Sequence, residues 1–299
     1  MDGVSSTRTH TVFQSCAVFQ QLRFQRHQKT PLMTDYFLYR QAWRFDGAPH
    51  EEPQLQEQEW KALLKQGGLM VRNTYDFDCQ NETCFWYVIK DQFEGMEGLS
   101  SRVRNKVRHA QQYFDYQQIA FETMQEKAFP ILEETYADYA VHDKSMNREV
   151  FAHYLDHCKE RHFDYWGIFE KESQQLVGFC TVRVWDHCCE YEVTGITSKY
   201  KKGGYYPYYG LYQHLNQHYL ESRQFNYVSD RARTITEHCN IQDFLIENFG
   251  FRKAYCQLAV HYQWWMKIAV NLLYPFRKII PLKPVKAILN MEAMQRGKK

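Results

Sequence analysis

Two carboxylates and a hydroxyl alternate along one predicted strand. Glu190, Glu192 and Thr194 are separated by single residues. Because successive side chains of a strand point to opposite faces, all three share one face. A carboxylate in such a position can accept a proton from an amine, directly or through water. The spacing leaves a second interpretation open, in which the two acids lie on an exposed strand surface.

A second polar group follows a predicted strand over Phe225–Ser229. Asp230, Arg231 and Arg233 come directly after it. In open α/β sheets, ligands bind at the carboxyl ends of the strands, and an arginine fork suits a carboxylate or a phosphate. These residues are therefore candidates for substrate binding, with a solvated loop as the alternative.

Composition limits the classes of protein that this chain can represent. Its 299 residues are 44% hydrophobic and 24% charged, with a formal net charge of +2. That balance predicts a folded globular protein without global attraction to nucleic acid. Nine cysteines without a CxxC pair predict free thiols, no metal site and a cytoplasmic location. Residues 1–32 lack the apolar core of a secretory signal, so we expect a disordered segment or a true start at Met33.

Hydrophobic periodicity predicts an α/β fold, in which a mixed sheet carries helices. Residues 33–109 read as a small strand-rich unit with a serine-capped basic helix at its end. Residues 110–262 predict the order β-α-α-β-β-β-α-β-α-β, including a helix over Pro130–Ala140 with Pro130 at its first position. Residues 263–299 form a basic tail with eight Lys or Arg residues against Glu292 alone.

Two local motifs carry a resemblance to a known family. Ile196-Thr197-Ser198-Lys199-Tyr200-Lys201-Lys202-Gly203-Gly204-Tyr205-Tyr206 lies where GNAT N-acetyltransferases have Q/R-x-x-G-x-G/A, between a strand and a helix. Asn240, followed by Asn248-Phe249-Gly250-Phe251, resembles the N…lGF ending of the family's last helix. Residues 110–260 resemble the GNAT fold best. The basic helix before them is similar to one in Fem-type aminoacyltransferases and their acyltransferase relatives.

The resemblance implies an enzyme that transfers an acyl or aminoacyl group to an amine. Glu190 or Glu192 would then act as the base, and Tyr205 or Tyr206 as the acid for the leaving group. The donor would be held by the backbone of Ile196, Thr197 and Ser198 and by the loop residues Lys201, Lys202, Gly203 and Gly204. Asp230, Arg231, Arg233 and Asn240 would bind the acceptor.

Departures from the family pattern leave the donor open. Tyr206 replaces the last small residue of the loop, and Pro207 has no N–H to offer a phosphate. The donor is therefore an acyl-coenzyme A, an acyl carrier protein thioester or a charged tRNA, and the acceptor a small-molecule, lipid or peptide amine. A non-catalytic binding module on the same fold is the alternative function. The tail 264–299 either contacts the inner membrane face or packs on the domain.

Overall fold

The computed structural model describes residues 35–39, 41–53, 55–137, 147–235 and 240–298. The predicted disordered or mis-assigned segment 1–32 and the predicted start at Met33 lie outside these residues. The strands of the described residues are Tyr36–Tyr39 (β1), Ala42–Phe45 (β2), Met70–Tyr75 (β3), Phe85–Lys90 (β4), Phe114–Gln118 (β5), Phe163–Glu170 (β6), Leu176–Val184 (β7), Cys188–Ile196 (β8), Tyr227–Ala232 (β9) and Arg252–Tyr262 (β10). The α-helices are Glu57–Lys65 (α1), Ser101–Tyr113 (α2), Phe121–Ala137 (α3), Arg148–Lys159 (α4), Ser198–Lys202 (α5), Pro207–Asn216 (α6), Asn240–Phe249 (α7), Trp264–Leu273 (α8) and Lys283–Gln295 (α9).

The described residues form two compact units. The first takes those within Val88–Arg231 and Cys239–Arg252, and the second those within Gln21–Tyr87, Ala232–His238 and Lys253–Lys299. Helix α2 therefore lies in the first unit, and α8 and α9 lie in the second. The limits predicted at 109/110 and 262/263 stay a prediction.

The first unit is a mixed sheet with the strand order β9-β8-β7-β6-β5. Strands β5 to β8 pair antiparallel, whereas β8 and β9 pair parallel. Helix α3 packs on β7 and β8, and α6 packs on α2 and β5. Large aromatic side chains are fully buried in this unit, among them Tyr191, Tyr212, Phe151 and Phe179.

The second unit contains a smaller sheet with the strand order β1-β2-β3-β10. β1 and β2 form an antiparallel pair, β2 and β3 run parallel, and β3 and β10 run antiparallel. The carboxyl-terminal helices belong to the core of this unit. Val270, Leu289 and Met291 are buried together with Leu258 and Val260 of β10.

The predicted elements of the first unit are found in the predicted order, with local differences. Helix α3 begins at Phe121 rather than at Pro130, so Pro130 lies inside it. Met124 and Ala128 extend the buried stripe of Ile131 and Thr135 by two turns, and this continuous packing outweighs the hydrogen bond that proline cannot donate. The predicted end of this helix at Ala140 lies outside the described residues.

Several boundaries also move. Two short strands, β1 and β2, pair antiparallel in the predicted strand-rich unit. Asp230 and Arg231 lie within β9 and not after it. Helix α6 ends in a π-helical turn over Gln217–Ser222. In the described part of the chain, no helix is both long and apolar enough to cross a bilayer.

Candidate active site

Strands β8 and β9 separate after a short paired segment. Their parallel pairing joins Cys188 to Tyr227 and ends at Glu190 and Ser229. Both strands continue beyond this point, β8 to Ile196 and β9 to Ala232. Because a strand directs backbone N–H and C=O groups to both sides, the two diverging segments leave edges that face each other. We call the space bounded by Glu190–Ile196 and Ser229–Arg231 the β8–β9 opening.

A bulge in β8 sets the position of Glu192. Thr181 of β7 pairs with Val193, and the next residue of β7, Val182, pairs with Tyr191. Glu192 is thus the extra residue of β8, and the bulge breaks the alternation of the strand. Glu190, which pairs with Arg183, and Thr194, which pairs with Cys180, therefore lie on opposite faces, so the predicted shared face is not found. The Thr181 hydroxyl accepts the Val193 N–H over 3.1 Å and lies 2.6 Å from the Tyr154 hydroxyl of α4, which anchors the bulge.

Glu190 lies at the mouth of the opening, where the carboxylate meets other charged groups. The Ser229 hydroxyl donates to its Oε2 over 3.5 Å, and Arg183 of β7 is its cross-strand partner. Burial raises the pKa of Glu190 to about 8, and Glu192 acts in the same direction, while Arg231 and Arg183 oppose it. Glu190 therefore holds its proton near neutral pH, as a group that exchanges protons with an amine should.

Asp230 and Arg231 face the same opening from β9. Burial raises the pKa of Asp230 to about 7, with Arg231 opposing and Glu192 adding to the rise. Burial lowers the pKa of Arg231, but the carboxyl groups of Asp230, Glu192 and Glu190 outweigh it and the net shift is upward. Arg231 has a left-handed backbone, φ 66°, and its N–H donates to the Ser229 hydroxyl over 3.0 Å.

Two buried polar atoms in this group have no hydrogen-bond partner among the described residues, Oδ2 of Asp230 and Nη1 of Arg231. A buried polar atom without a partner is costly and uncommon in a native protein. Since both atoms belong to residues of the opening, they indicate a polar ligand that would complete their bonding.

Tyr212 joins the site although its sequence pattern indicates only a core position. It lies on the stripe of α6, is 2% exposed, and its hydroxyl contacts Thr194 of β8. The Thr194 hydroxyl in turn donates to the Cys180 sulfur over 3.3 Å. Burial raises the pKa of Tyr212 well above 10, so the phenol stays protonated. Helical spacing alone cannot separate such a residue from a packing tyrosine.

The predicted donor-binding backbone is already engaged within the chain. The Ile196 N–H donates to the Thr135 hydroxyl over 2.9 Å, and the Thr197 N–H to the Val177 carbonyl over 3.0 Å. The Ser198 N–H donates to the Glu134 carboxylate over 3.0 Å. These three N–H groups therefore do not fit a coenzyme A arm in this arrangement.

The loop after β8 is turned toward α2. Lys201 and Lys202 end α5, and Gly203 and Gly204 follow, with Gly204 at φ 75° where a side chain would be strained. Tyr206, the N-cap residue that precedes α6, has a left-handed backbone conformation, φ 57°. Its ring lies 5.9 Å from that of His109.

The two tyrosines of this loop pack on aromatic and cationic side chains of α2. The Tyr205 ring lies 5.0 Å from that of Tyr113. Lys106 lies 4.8 Å above the Tyr206 ring and donates to the Tyr209 hydroxyl over 3.0 Å. Burial lowers the pKa of Lys106, and Arg102 adds to this. The structure thus brings Tyr205 and Tyr206 to α2, whereas Glu190, Glu192, Asp230 and Arg231 meet at the opening.

The remaining candidates lie elsewhere. Arg233 belongs to the second unit, where it donates to the Cys84 carbonyl over 2.7 Å and lies 4.1 Å above the Trp86 ring. Asn240 is the first residue of α7. Among the described residues, no group of three or more His, Cys, Asp or Glu side chains is arranged so that it could hold a metal ion.

The element order and the parting of β8 from β9 define a mixed α/β fold of the GNAT type, so the predicted fold class is confirmed. Solved structures similar to the chain include FemX, at 9% identity and TM-score 0.49 over 74% of this chain and 73% of that one. L-PGS from Bacillus licheniformis is similar at 9% identity and TM-score 0.46, over 88% and 85%. A GCN5-related N-acetyltransferase-like protein from Streptococcus suis is similar at 17% identity and TM-score 0.36, over 76% and 83%.

These similarities concern the fold and leave the substrate open. No family model and no curated protein matches the sequence.

Proposed function

We propose that this protein transfers an acyl or aminoacyl group to an amine acceptor bound at the β8–β9 opening. The observation that carries the proposal is the meeting of three carboxyl groups, Glu190, Glu192 and Asp230, around a space that holds unpartnered polar atoms. Where they are ionised, these carboxyl groups attract an ammonium ion and can accept its protons.

Glu190 is the group best suited to move the proton. The bound ammonium ion first releases one proton to water. The free amine then loses a second proton to the Glu190 carboxylate as it attacks the carbonyl carbon of the donor, so that a C–N bond forms. When the bond to the leaving sulfur or oxygen breaks, protonated Glu190 returns the proton to that atom. A pKa of about 8 suits both steps, because it lies between those of a thiol and of a carboxylic acid in water.

The phosphate-bearing part of the donor is assigned to α2. Arg102, Arg104, Lys106 and Arg108 make this helix strongly basic, and Lys106 lies beside the first turn of α6. An acyl-coenzyme A, an acyl carrier protein and a charged tRNA all carry phosphate, so all three remain candidate donors. A lipid, a peptide or a small molecule can supply the amine. A cytoplasmic location stays a prediction, as does contact with the inner membrane face through 264–299.

The experiment combines donor binding with turnover. Thermal unfolding is measured with acetyl-coenzyme A, long-chain acyl-coenzyme A, acyl carrier protein thioester and aminoacyl-tRNA. A donor that binds the folded state stabilises it by about 2.7 kcal/mol at a hundredfold excess over its dissociation constant. The stabilising donor is then incubated with a panel of amines, and amide formation is followed by mass spectrometry.

Site variants test the assignment of the base. We expect Glu190→Gln to lower turnover by about 10²- to 10⁴-fold, which is the usual contribution of a general base to the rate. Glu172→Gln, an exposed acid after β6, is the matched control and should leave turnover unchanged. Unchanged turnover in both Glu190→Gln and Glu192→Gln would rule out the acidic strand as the source of the base.

A non-catalytic amine-binding module is the second candidate, and the engaged N–H groups of Ile196, Thr197 and Ser198 favour it. Such a module is stabilised by amines and by none of the donors. Glu190→Gln should weaken the amine effect in either case, so donor binding separates the two functions.

A further inference from the structure

The carboxyl-terminal helices of the second unit have one buried face and one solvent-exposed face. Val270 and Tyr274 pack into the core of this unit with Leu289 and Met291. The opposite side of α8 carries Trp264, Ile268 and Leu272 at four-residue spacing, which places them along one side of the helix. Helix α8 is therefore fixed to the unit through its inner face while its apolar outer face meets solvent.

The exposed apolar surface of the described chain is concentrated here. Of its ten exposed large hydrophobic side chains, eight lie between Trp264 and Leu282. Trp264, Leu272 and Ile279 are 75%, 68% and 76% exposed. We call the surface formed by Trp264, Ile268, Leu272, Phe276, Ile279 and Leu282 the apolar ridge. Concentrated apolar surface of this kind marks an interaction site, whereas scattered exposed residues need no explanation.

The charges within the segment that carries the apolar ridge all have one sign. From Trp264 to Met291 the chain has no Asp or Glu and five basic residues, Lys267, Arg277, Lys278, Lys283 and Lys286. Glu292, the next acid, is buried and paired with Arg296. The segment is thus positive along its length, and it complements a surface of negative charge.

We propose that the apolar ridge inserts into the interfacial layer of a bilayer that contains anionic lipid. Tryptophan and aliphatic side chains flanked by lysine and arginine are the composition of helices that lie in this layer. The ten residues of α8 span about 15 Å, half of the roughly 30 Å hydrocarbon core, so the helix lies along the membrane surface.

A second copy of the chain is a poorer occupant of this face. A twofold dimer brings the same patch of both copies together, so the positive segments would repel each other. A bilayer of anionic lipid supplies the opposite charge and accepts apolar side chains without demanding a shape-matched partner.

The test measures flotation of the full chain with vesicles of neutral phosphatidylcholine and with vesicles that contain one quarter phosphatidylglycerol. We expect binding to the anionic vesicles that weakens with salt. Trp264→Ser combined with Leu272→Ser should reduce it roughly a hundredfold, from the apolar burial lost. Lys278→Gln combined with Lys283→Gln should reduce it about thirtyfold, since each cation contributes about a factor of five.

Tyr75→Ser on β3 removes an exposed aromatic side chain of the same unit outside the ridge and should bind like the unmodified protein. Unfolding curves of all variants confirm that each remains folded, which the exposure of every changed side chain leads us to expect. Equal binding to neutral vesicles, full binding by the Trp264/Leu272 variant, or failure to float would each overturn the proposal. A dimer in light scattering that this variant abolishes, without lipid binding, would identify a second copy as the occupant.

Discussion

Glu190 shows how one residue links the site to stability. Its pKa in the folded protein is about 8, above the 4.5 of an unperturbed glutamate. Below pH 4.5, the folded and unfolded states both hold the proton, and the group adds no pH dependence. Between pH 4.5 and 8 the unfolded state releases its proton while the folded state keeps it, so the free energy of unfolding falls as pH rises.

We therefore expect Glu190→Gln to stabilise the protein at alkaline pH. Glutamine resembles the protonated carboxyl group and cannot ionise, so the variant avoids the cost of a buried charge. Allowing for solvent screening of a half-buried group, the gain at pH 9 should be about 2 kcal/mol, and it should vanish near pH 4.5. Urea unfolding across this range measures the effect. An equal stability difference at pH 5 and pH 9 would show that the pKa of Glu190 is not raised.

At the scale of the elements, the end of β8 is held by a side chain of α3. The Thr135 hydroxyl accepts the Ile196 N–H over 2.9 Å, and its single proton is shared between the Ile196 carbonyl at 2.9 Å and the Ile131 carbonyl at 2.8 Å. This buried threonine is 1% exposed and ties the strand that carries both acids to the helix that covers it.

Thr135→Val preserves the shape of the side chain and removes these bonds. We expect a loss of about 1–3 kcal/mol in the free energy of unfolding, because a buried N–H and carbonyl lose their partner. Thr123→Val, a half-buried position on the same helix, is the matched control and should change stability by less than about 0.5 kcal/mol. Equal losses in both variants would indicate a general effect of valine in α3.

Helix α2 carries a prediction about donor binding. Arg102 and Lys106 are one turn apart, so they share a side of the helix, and Arg108 lies on a different side. If this side holds the donor's phosphates, Lys106→Gln should weaken donor binding and reduce its dependence on salt by about one charge. Calorimetric titrations at two salt concentrations measure both quantities. Arg108→Gln should leave them nearly unchanged, and an equal loss in the two variants would contradict a specific phosphate contact.

At the scale of the whole molecule, the carboxyl-terminal helices are both core and surface. Leu289 is 1% exposed within the core of the second unit, whereas Leu272 projects into solvent. Leu289→Ala should therefore cost about 2–5 kcal/mol, and Leu272→Ala less than about 0.5 kcal/mol. Chemical denaturation compares the two variants directly. Similar losses would mean that the outer face of α8 is packed in solution.

Local patterns predicted most of the elements correctly. The serine cap predicted for the basic helix is found at Ser100, whose hydroxyl accepts the Val103 N–H. Pro130 misled the prediction of α3, because a proline favours the first turn of a helix yet is tolerated where packing on both sides maintains the helix.

The sequence by itself determined the order of the elements, the strand that carries Glu190, Glu192 and Thr194, and the composition of the tail. These features depend on residues close in sequence, whose spacing sets the periodicity of a strand or a helix. The tertiary structure decided which residues meet. Glu190 reaches Ser229, Asp230 and Arg231 because β8 and β9 pair in parallel over three residues and then diverge. Tyr212 joins them, and Tyr205 and Tyr206 turn to α2, through packing between segments far apart in the chain. Strand register and helix packing arise from such long-range contacts, which the spacing of residues along the sequence does not predict.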